Sequence, residues 1–295
     1  MSAPEPTGVI HDIGYRPYEG RRLGRGYALR SLYVQSLRHA YGLGRSARSK
    51  VMPVLLFVLM VIPAAVMVGV VNLVDMQAQV VPYTRYAMIM QAVIGIFLAA
   101  QAPVLVARDL RFATISLYFS RPPTRLDYVL AKYAAMASAL FVLMGIPLAI
   151  LYVGGLLAKF PAWPQTRDFA LGLAGVVAFS LVLAGLGLLL AALTTRRGLG
   201  VAVIIGVLLV SFAGVSAVQG IAGVSGSDAV AGYAGIFSPF TLVDGFQAGA
   251  LGADSSAVAG PPGTAGGIVF TLAMLAVIGG TFGLLALRYA KAASS

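Results

Sequence analysis

Charged residues are scarce in this chain. Asp, Glu, Lys and Arg make up 11% of its 295 residues, whereas soluble domains carry roughly 25%. Hydrophobic residues make up 59%. A chain with so few charged residues cannot cover itself with a water-soluble surface, so the composition excludes a soluble globular protein. It predicts an integral membrane protein.

Residues that carry metal or nucleotide chemistry are scarce as well. The absence of cysteine excludes disulfides and Cys-type metal sites. A Gly-x-x-x-x-Gly-Lys-Ser/Thr loop, which would cradle nucleotide phosphates, is also missing. Gly223-Val224-Ser225-Gly226 resembles the serine motif of rhomboid proteases, but His11 and His39 lie in the N-terminal segment, across the predicted membrane from Ser225. We therefore expect no catalytic residue, metal site or cofactor in this chain.

Long apolar runs are what the sequence does contain. A helix that crosses the hydrocarbon core needs roughly 20 mainly apolar residues. Six segments meet this requirement, which predicts an all-α domain of six transmembrane helices over residues 51–295, after a cytoplasmic segment of residues 1–50. The predicted spans are Val51 to Val74, Tyr86 to Ala107, Tyr133 to Leu157, Phe169 to Leu193, Leu199 to Val218 and Ala265 to Leu287.

The basic residues predict the orientation, because short loops rich in Lys and Arg stay in the cytoplasm. With the N-terminus inside, eighteen of the 21 are cytoplasmic: nine in residues 1–50, five in residues 108–132, then Arg196, Arg197, Arg288 and Lys291. Only Arg85, Lys159 and Arg167 are outside. We expect both termini in the cytoplasm and a plasma (inner) membrane location, and we interpret the net charge of +11 as a topology signal and not as a nucleic-acid surface. The abundance of Ala, Gly, Val and Leu favours a bacterial source.

Two segments outside the spans carry apolar residues. Residues 26–48 predict an amphipathic helix on the inner leaflet, where its basic residues would meet anionic lipid headgroups; the alternative is a basic tail that only sets topology. Its apolar positions are Leu29, Leu32, Tyr33, Leu37, Ala40 and Tyr41. Residues 219–264, predicted outside the cell, contain an apolar cluster typical of a short helix or re-entrant segment packed on the bundle. That cluster is Phe237, Pro239, Phe240, Leu242, Val243 and Phe246.

Small and amide residues within the predicted spans suggest packing and pathway positions. The pairs Gly185 with Gly187 and Gly279 with Gly283 fit close approach of helices. Gln91 and Gln101 lie ten residues apart and are offset by about 80° around a helix. They are candidate pathway residues, although hydrogen bonding between helices explains them equally well.

The loop between the second and third spans has the most ordered pattern. An apolar run of Phe112, Ile115, Leu117 and Phe119 ends at Arg121-Pro122-Pro123, where proline stops a helix. Thr124 and Asp127 then form the pattern of a capping box at the start of the third span. The loop therefore predicts a short cytoplasmic helix followed by a stiff turn.

This loop and the six-span topology resemble the membrane permease subunits of type-2 ABC transporters. The matching positions are Arg108, Asp109, Arg111, Thr114, Leu117, Ser120, Arg121, Pro122, Arg125 and Lys132. Ser238-Pro239 before the last span is similar to a Ser-Pro pair of that family. The chain departs from the family at Asp109, where Glu is common, and at Tyr118-Phe119, where smaller aliphatic residues are usual.

The resemblance implies one half of an ATP-driven exporter. Two such chains, identical or related, would form the pathway, and two separate cytoplasmic ATPase subunits would bind ATP and Mg. The loop would be the coupling helix: Phe112 and Leu117 would anchor it in the ATPase, Arg108, Asp109 and Arg111 would make polar contacts, and Pro122 would set the turn. The alternatives are a membrane scaffold that recruits a cytoplasmic partner through the same loop, and a secondary carrier or channel. The lack of ionisable residues in the predicted spans disfavours a carrier or channel.

Overall fold

The computed structural model describes residues 20, 24–74, 79–111, 124–194 and 196–292. Their regular structure is helical, without a β-strand among the described residues. The helices are α1 Arg25–Ala40, α2 Ala47–Leu73, α3 Tyr83–Ile89, α4 Gln91–Arg111, α5 Arg125–Leu157, α6 Ala162–Leu193, α7 Arg197–Val224, α8 Asp228–Ala234, α9 Pro239–Leu251 and α10 Gly263–Ala292, with a 3₁₀ turn at Gly235–Phe237. The prediction of an all-α membrane protein is confirmed at this level.

Five helices are long and apolar enough to cross a membrane: α2, α5, α6, α7 and α10. Each contains one predicted span almost entirely and extends beyond it at one or both ends. The predicted second span, Tyr86 to Ala107, is instead a broken pair, because α3 and α4 meet at an angle of 61°. The count reaches six only if this bent pair crosses as one span.

The bend between α3 and α4 lies at Met90, where the sequence has neither proline nor glycine. Helices usually kink at such residues, so local sequence does not explain this one. The contacts of α3 hold it instead. Tyr86 is buried and its hydroxyl donates a hydrogen bond to the Met60 carbonyl of α2, while Tyr83 packs against Gly172 of α6.

Helix α6 lies at the centre of the bundle. In its most apolar stretch 67% of the residues are buried, against 17% in α7. A side chain at Gly187 would collide with Leu98 of α4, and one at Gly185 would collide with Thr281 of α10. Close approach at this glycine pair is therefore confirmed. The same prediction is wrong within the chain for Gly279 and Gly283. A Cβ atom added at either position would lie more than 4 Å from every described atom outside the adjacent turns of its own helix.

Helix α1 forms within the predicted amphipathic segment. Its apolar side packs on protein, because α1 lies along α5 and α4. Tyr33 donates a hydrogen bond to the Ser138 hydroxyl over 2.9 Å, and Tyr41 donates to the Ala139 carbonyl over 2.7 Å. The face that was expected to enter the inner leaflet therefore covers α5. The predicted contact of α1 with lipid headgroups stays a prediction for its exposed basic side chains, such as Arg30 and Arg38.

The segment before the last helix is helical and packed, as the sequence predicts. Phe240, Leu242 and Val243 are buried where α9 packs against α10 and α6. Phe237 does not join them, because it lies in the 3₁₀ turn and is 79% exposed. The Asp244 carboxylate of α9 accepts hydrogen bonds from the Ser255 hydroxyl and from the Ser256 and Ala257 amides. These bonds hold the linker between α9 and α10.

Candidate functional site

The predicted coupling loop joins α4 to α5. Its central residues, Phe112, Thr114, Leu117, Ser120, Arg121 and Pro122, lie outside the described residues. Arg108, Asp109 and Arg111 belong to the last two turns of α4, so this helix continues beyond the predicted end of the span. Arg125 is the first residue of α5 and is exposed. The structure therefore defines the two helix ends between which the loop lies.

The start of α5 is capped as predicted. The Asp127 amide donates a hydrogen bond to the Thr124 hydroxyl over 3.4 Å, and the Asp127 carboxylate accepts one from the Thr124 amide over 2.8 Å. This reciprocal pair is a capping box, which satisfies two amides that would otherwise lack partners in the first helical turn. It sets the direction in which the chain leaves the loop.

An ion pair joins the capping box to α1. Arg25 donates from Nε to Asp127 Oδ2 over 2.6 Å and from Nη2 to Asp127 Oδ1 over 2.8 Å, and it also contacts the Thr124 hydroxyl. Hydrogen bonding to Asp127, followed by its charge, raises the pKa of Arg25 above its ordinary value. A two-pronged contact of this kind fixes orientation as well as distance. The start of α1 and the start of α5 are thereby held together.

We expect Asp127→Ala to destabilise the first turn of α5 more than Thr124→Ala does. Each change removes one of the two capping bonds, which costs about 1 kcal/mol. The aspartate change also removes both bonds from Arg25 to the carboxylate, whereas the threonine change removes only the longer contact of Arg25 with the hydroxyl. Hydrogen exchange of the amides in residues 125–130 measures the effect, and Arg30→Ala, an exposed arginine of α1, is the control. Equal protection in Asp127→Ala and wild type would contradict the assignment.

Lys132 is a buried cation that the sequence pattern missed. Lys132 precedes the predicted third span, which begins at Tyr133, and it lies in the helix that begins after the predicted capping box, at Arg125. Lys132 is 8% exposed, and its Nζ donates to the Leu105 carbonyl of α4 over 2.8 Å. The same Nζ lies 5.3 Å from the centre of the Tyr128 ring, a cation–π arrangement. The predicted third span itself, which begins at Tyr133, contains no ionisable residue; Lys132 lies in the helical turns that precede it.

The aromatic contacts of Lys132 reach the last helix. The Tyr128 ring lies 5.0 Å from the Tyr289 ring of α10. Next to it along α10, Arg288 donates to the Ala192 carbonyl at the end of α6 over 3.4 Å. Tyr128 and Tyr289 are almost fully buried, and only their helical spacing within apolar segments could have suggested them from sequence. These contacts connect α4, α5, α6 and α10 at one end of the bundle.

The two candidate pathway residues occupy different environments. Gln101 is 5% exposed inside the chain. Gln91, at the start of α4, borders a cavity of about 420 Å³ between α4 and α7. The other walls are apolar: Ala92, Gly95, Ile96, Ile205, Leu208, Leu209, Phe212 and Phe240. The structure therefore associates Gln91 with a cavity and Gln101 with the packed interior.

Comparison with known proteins adds no identification. No family model matches the chain, and no curated protein matches it. The arrangement of the side chains is therefore the basis for any functional assignment, together with the resemblance of the loop. Among the described residues, no three His, Cys, Asp or Glu side chains come together as metal ligands would.

Proposed function

We propose that this chain is the transmembrane permease subunit of an ATP-driven ABC exporter. Two copies, or one copy and a related chain, would form the substrate pathway in a bacterial plasma membrane, with both termini in the cytoplasm. ATP and Mg would bind to separate cytoplasmic ATPase subunits. The proposal combines the resemblance of residues 108–132 and the membrane-protein fold with the contacts at the two ends of the loop.

The observation that carries the proposal is the connected group of contacts around the loop. Lys132 joins the start of α5 to Leu105 near the end of α4, and Arg25 joins α1 to Asp127. A force applied to residues 112–123 by a partner would therefore act on α1, α4 and α5 together. Packed helices move as rigid bodies between discrete arrangements. Such a connection would convert closure of an ATPase dimer into tilting of the spans.

The cavity beside Gln91 supports an apolar substrate with a hydrogen-bonding group. Small-molecule sites are typically apolar clefts of about 300–1,000 Å³ with a few placed polar groups. The cavity between α4 and α7 falls in this range and offers one amide among apolar walls. It opens next to the bend between α3 and α4, so movement of α4 would change its shape. Gln91 is accordingly the residue that we assign to the pathway.

The proposal predicts a stoichiometric partner. Purification of the tagged full chain from its native host in mild detergent is expected to retain a P-loop subunit and to yield ATP hydrolysis. Hydrolysis stimulated by an added apolar compound in liposomes would identify a transporter, whereas partner binding without stimulated hydrolysis would favour the scaffold. Flux driven by an ion gradient without ATP, or repeated purification without such a subunit, would contradict the proposal.

A further inference from the structure

A second cavity lies at the opposite end of the bundle from the Arg25–Asp127 pair. It encloses about 470 Å³ among the segment before α3, the first two turns of α6, and the linker between α9 and α10. Both polar and apolar side chains form its walls. Its volume falls within the range of small-molecule sites, and it is separate from the apolar cavity beside Gln91.

We call this second cavity the outer cavity, because the sequence predicts this end of the bundle to lie outside the cell. Hydrogen bonds hold its walls in place. The Gln79 amide and the Tyr83 hydroxyl both donate to the Gln165 side-chain oxygen over 2.5 Å, which ties α6 to the segment before α3. The third wall is formed by residues 252–254 of the linker between α9 and α10, and the residues just after them in the chain are fixed by hydrogen bonds. The Asp244 carboxylate accepts bonds from residues 255–257, and Arg85 donates to the Ser255 carbonyl and the Ser256 hydroxyl. The cavity is therefore formed before any ligand binds, which reduces the entropic cost of ordering its walls on binding.

Ionisable groups of both signs line the outer cavity. Asp168 and Asp254 provide two carboxylates, and Arg167 provides one guanidinium. The side chains of these three residues are exposed, and none of them makes a hydrogen bond or an ion pair with another described residue. Opposite charges that line one cavity without neutralising each other are complementary to a ligand that carries both charges.

Trp163 indicates where the outer cavity lies relative to the membrane surface. This residue is the single tryptophan of the chain and is 79% exposed on α6, two positions before Gln165. Exposed tryptophan is enriched where the membrane meets water. The cavity therefore lies near the level at which zwitterionic lipid headgroups are concentrated.

We infer that the outer cavity binds a compact zwitterion that carries an ammonium group and a phosphate or carboxylate group. Asp168 and Asp254 bind the ammonium group, and Arg167 binds the anion. The same chemistry is offered by a phosphatidylethanolamine headgroup and by a free soluble zwitterion. The inference does not rest on the proposed export function, because it concerns binding at the end of the bundle away from the coupling loop.

The test uses the full chain purified in maltoside detergent. O-phosphoethanolamine is titrated into the protein and followed by calorimetry and by the fluorescence of Trp163. We expect saturable binding that becomes about tenfold weaker or more in Arg167→Gln and in the double variant Asp168→Asn with Asp254→Asn. Ethanolamine, which lacks the anion, is expected to bind equally to Arg167→Gln and wild type. Asp228→Asn, an exposed carboxylate of α8 outside the cavity, is the control.

A second arm distinguishes the sources of the zwitterion. The chain is placed in nanodiscs of mixed phosphatidylethanolamine and phosphatidylglycerol, and the retained lipid is identified by native mass spectrometry. Selective retention of phosphatidylethanolamine that Arg167→Gln abolishes identifies a headgroup, and soluble binding without selective retention identifies a free zwitterion. The inference is overturned if neither ligand binds wild type, or if the cavity variants bind like Asp228→Asn while their melting temperatures match that of wild type.

Discussion

Replacing both Phe112 and Leu117 with aspartate is expected to abolish co-purification of the ATPase subunit while the chain still inserts into the membrane. The proposal places these two side chains in an apolar groove of the partner. Burying a carboxylate in such a groove without a partner group costs several kcal/mol, which is enough to remove a stable complex. Insertion depends on the apolar spans and the flanking basic residues, and the substitution leaves both unchanged. Pull-down from solubilised membranes measures the loss.

The matched control for this experiment keeps the same positions apolar. Phe112→Leu combined with Leu117→Met is expected to retain the ATPase subunit, because apolar exchanges of similar volume are well tolerated. Equal abundance of both variants in the membrane fraction shows that insertion is intact. Retention of the ATPase subunit by the aspartate variant would remove Phe112 and Leu117 from the interface.

Replacing Gly249 with alanine is expected to disrupt the packing of α9 on α10. The two backbones touch at Gly249 and Gly267, and a side chain at Gly267 would lie 2.9 Å from the Gly249 carbonyl oxygen. A side chain at Gly249 would in turn press directly on the Gly267 Cα. Because both partners are main chain, no rotamer change can relieve the contact. The cost is expected at the upper end of about 1–3 kcal/mol, seen as a lower apparent melting temperature in detergent.

The control for Gly249 is a glycine with free space around it. Gly279→Ala adds a methyl group to α10 at a position where no described atom outside the adjacent turns of the same helix lies within 4 Å of it. Because alanine favours the helix over glycine, its effect is expected to lie between neutral and a stabilisation of about 1 kcal/mol. If both alanine variants melted at the same temperature, the close approach of α9 and α10 would be wrong.

Features that depend on near neighbours in the chain could be read from the sequence. Apolar runs identified the long helices, because the hydrocarbon core imposes a minimum length on each span. The spacing of Thr124 and Asp127 identified the capping box, since such a box is closed by residues three positions apart. The apolar residues after Ser238 likewise indicated a packed helix.

Features that depend on distant residues were decided by the tertiary structure. The sequence predicted a continuous second span, but Met60 and Gly172 hold α3 at an angle to α4. Lys132 contacts the Leu105 carbonyl and the Tyr128 ring, and neither of these neutral groups leaves a charge pattern in the sequence.

The candidate sites also separate into features that the sequence predicted and features that only the tertiary structure revealed. The sequence by itself determined that the chain is an α-helical membrane protein in which a capping box opens the helix at Arg125. Only the tertiary structure placed Gln91 beside a cavity and Gln101 in the interior, and only it brought Gln79, Gln165 and Asp254 to one outer cavity. Hydrophobic periodicity states which side of a helix avoids water, but it is the same whether that side meets lipid or another helix. The choice between lipid and protein is made by the packing of segments far apart in the chain.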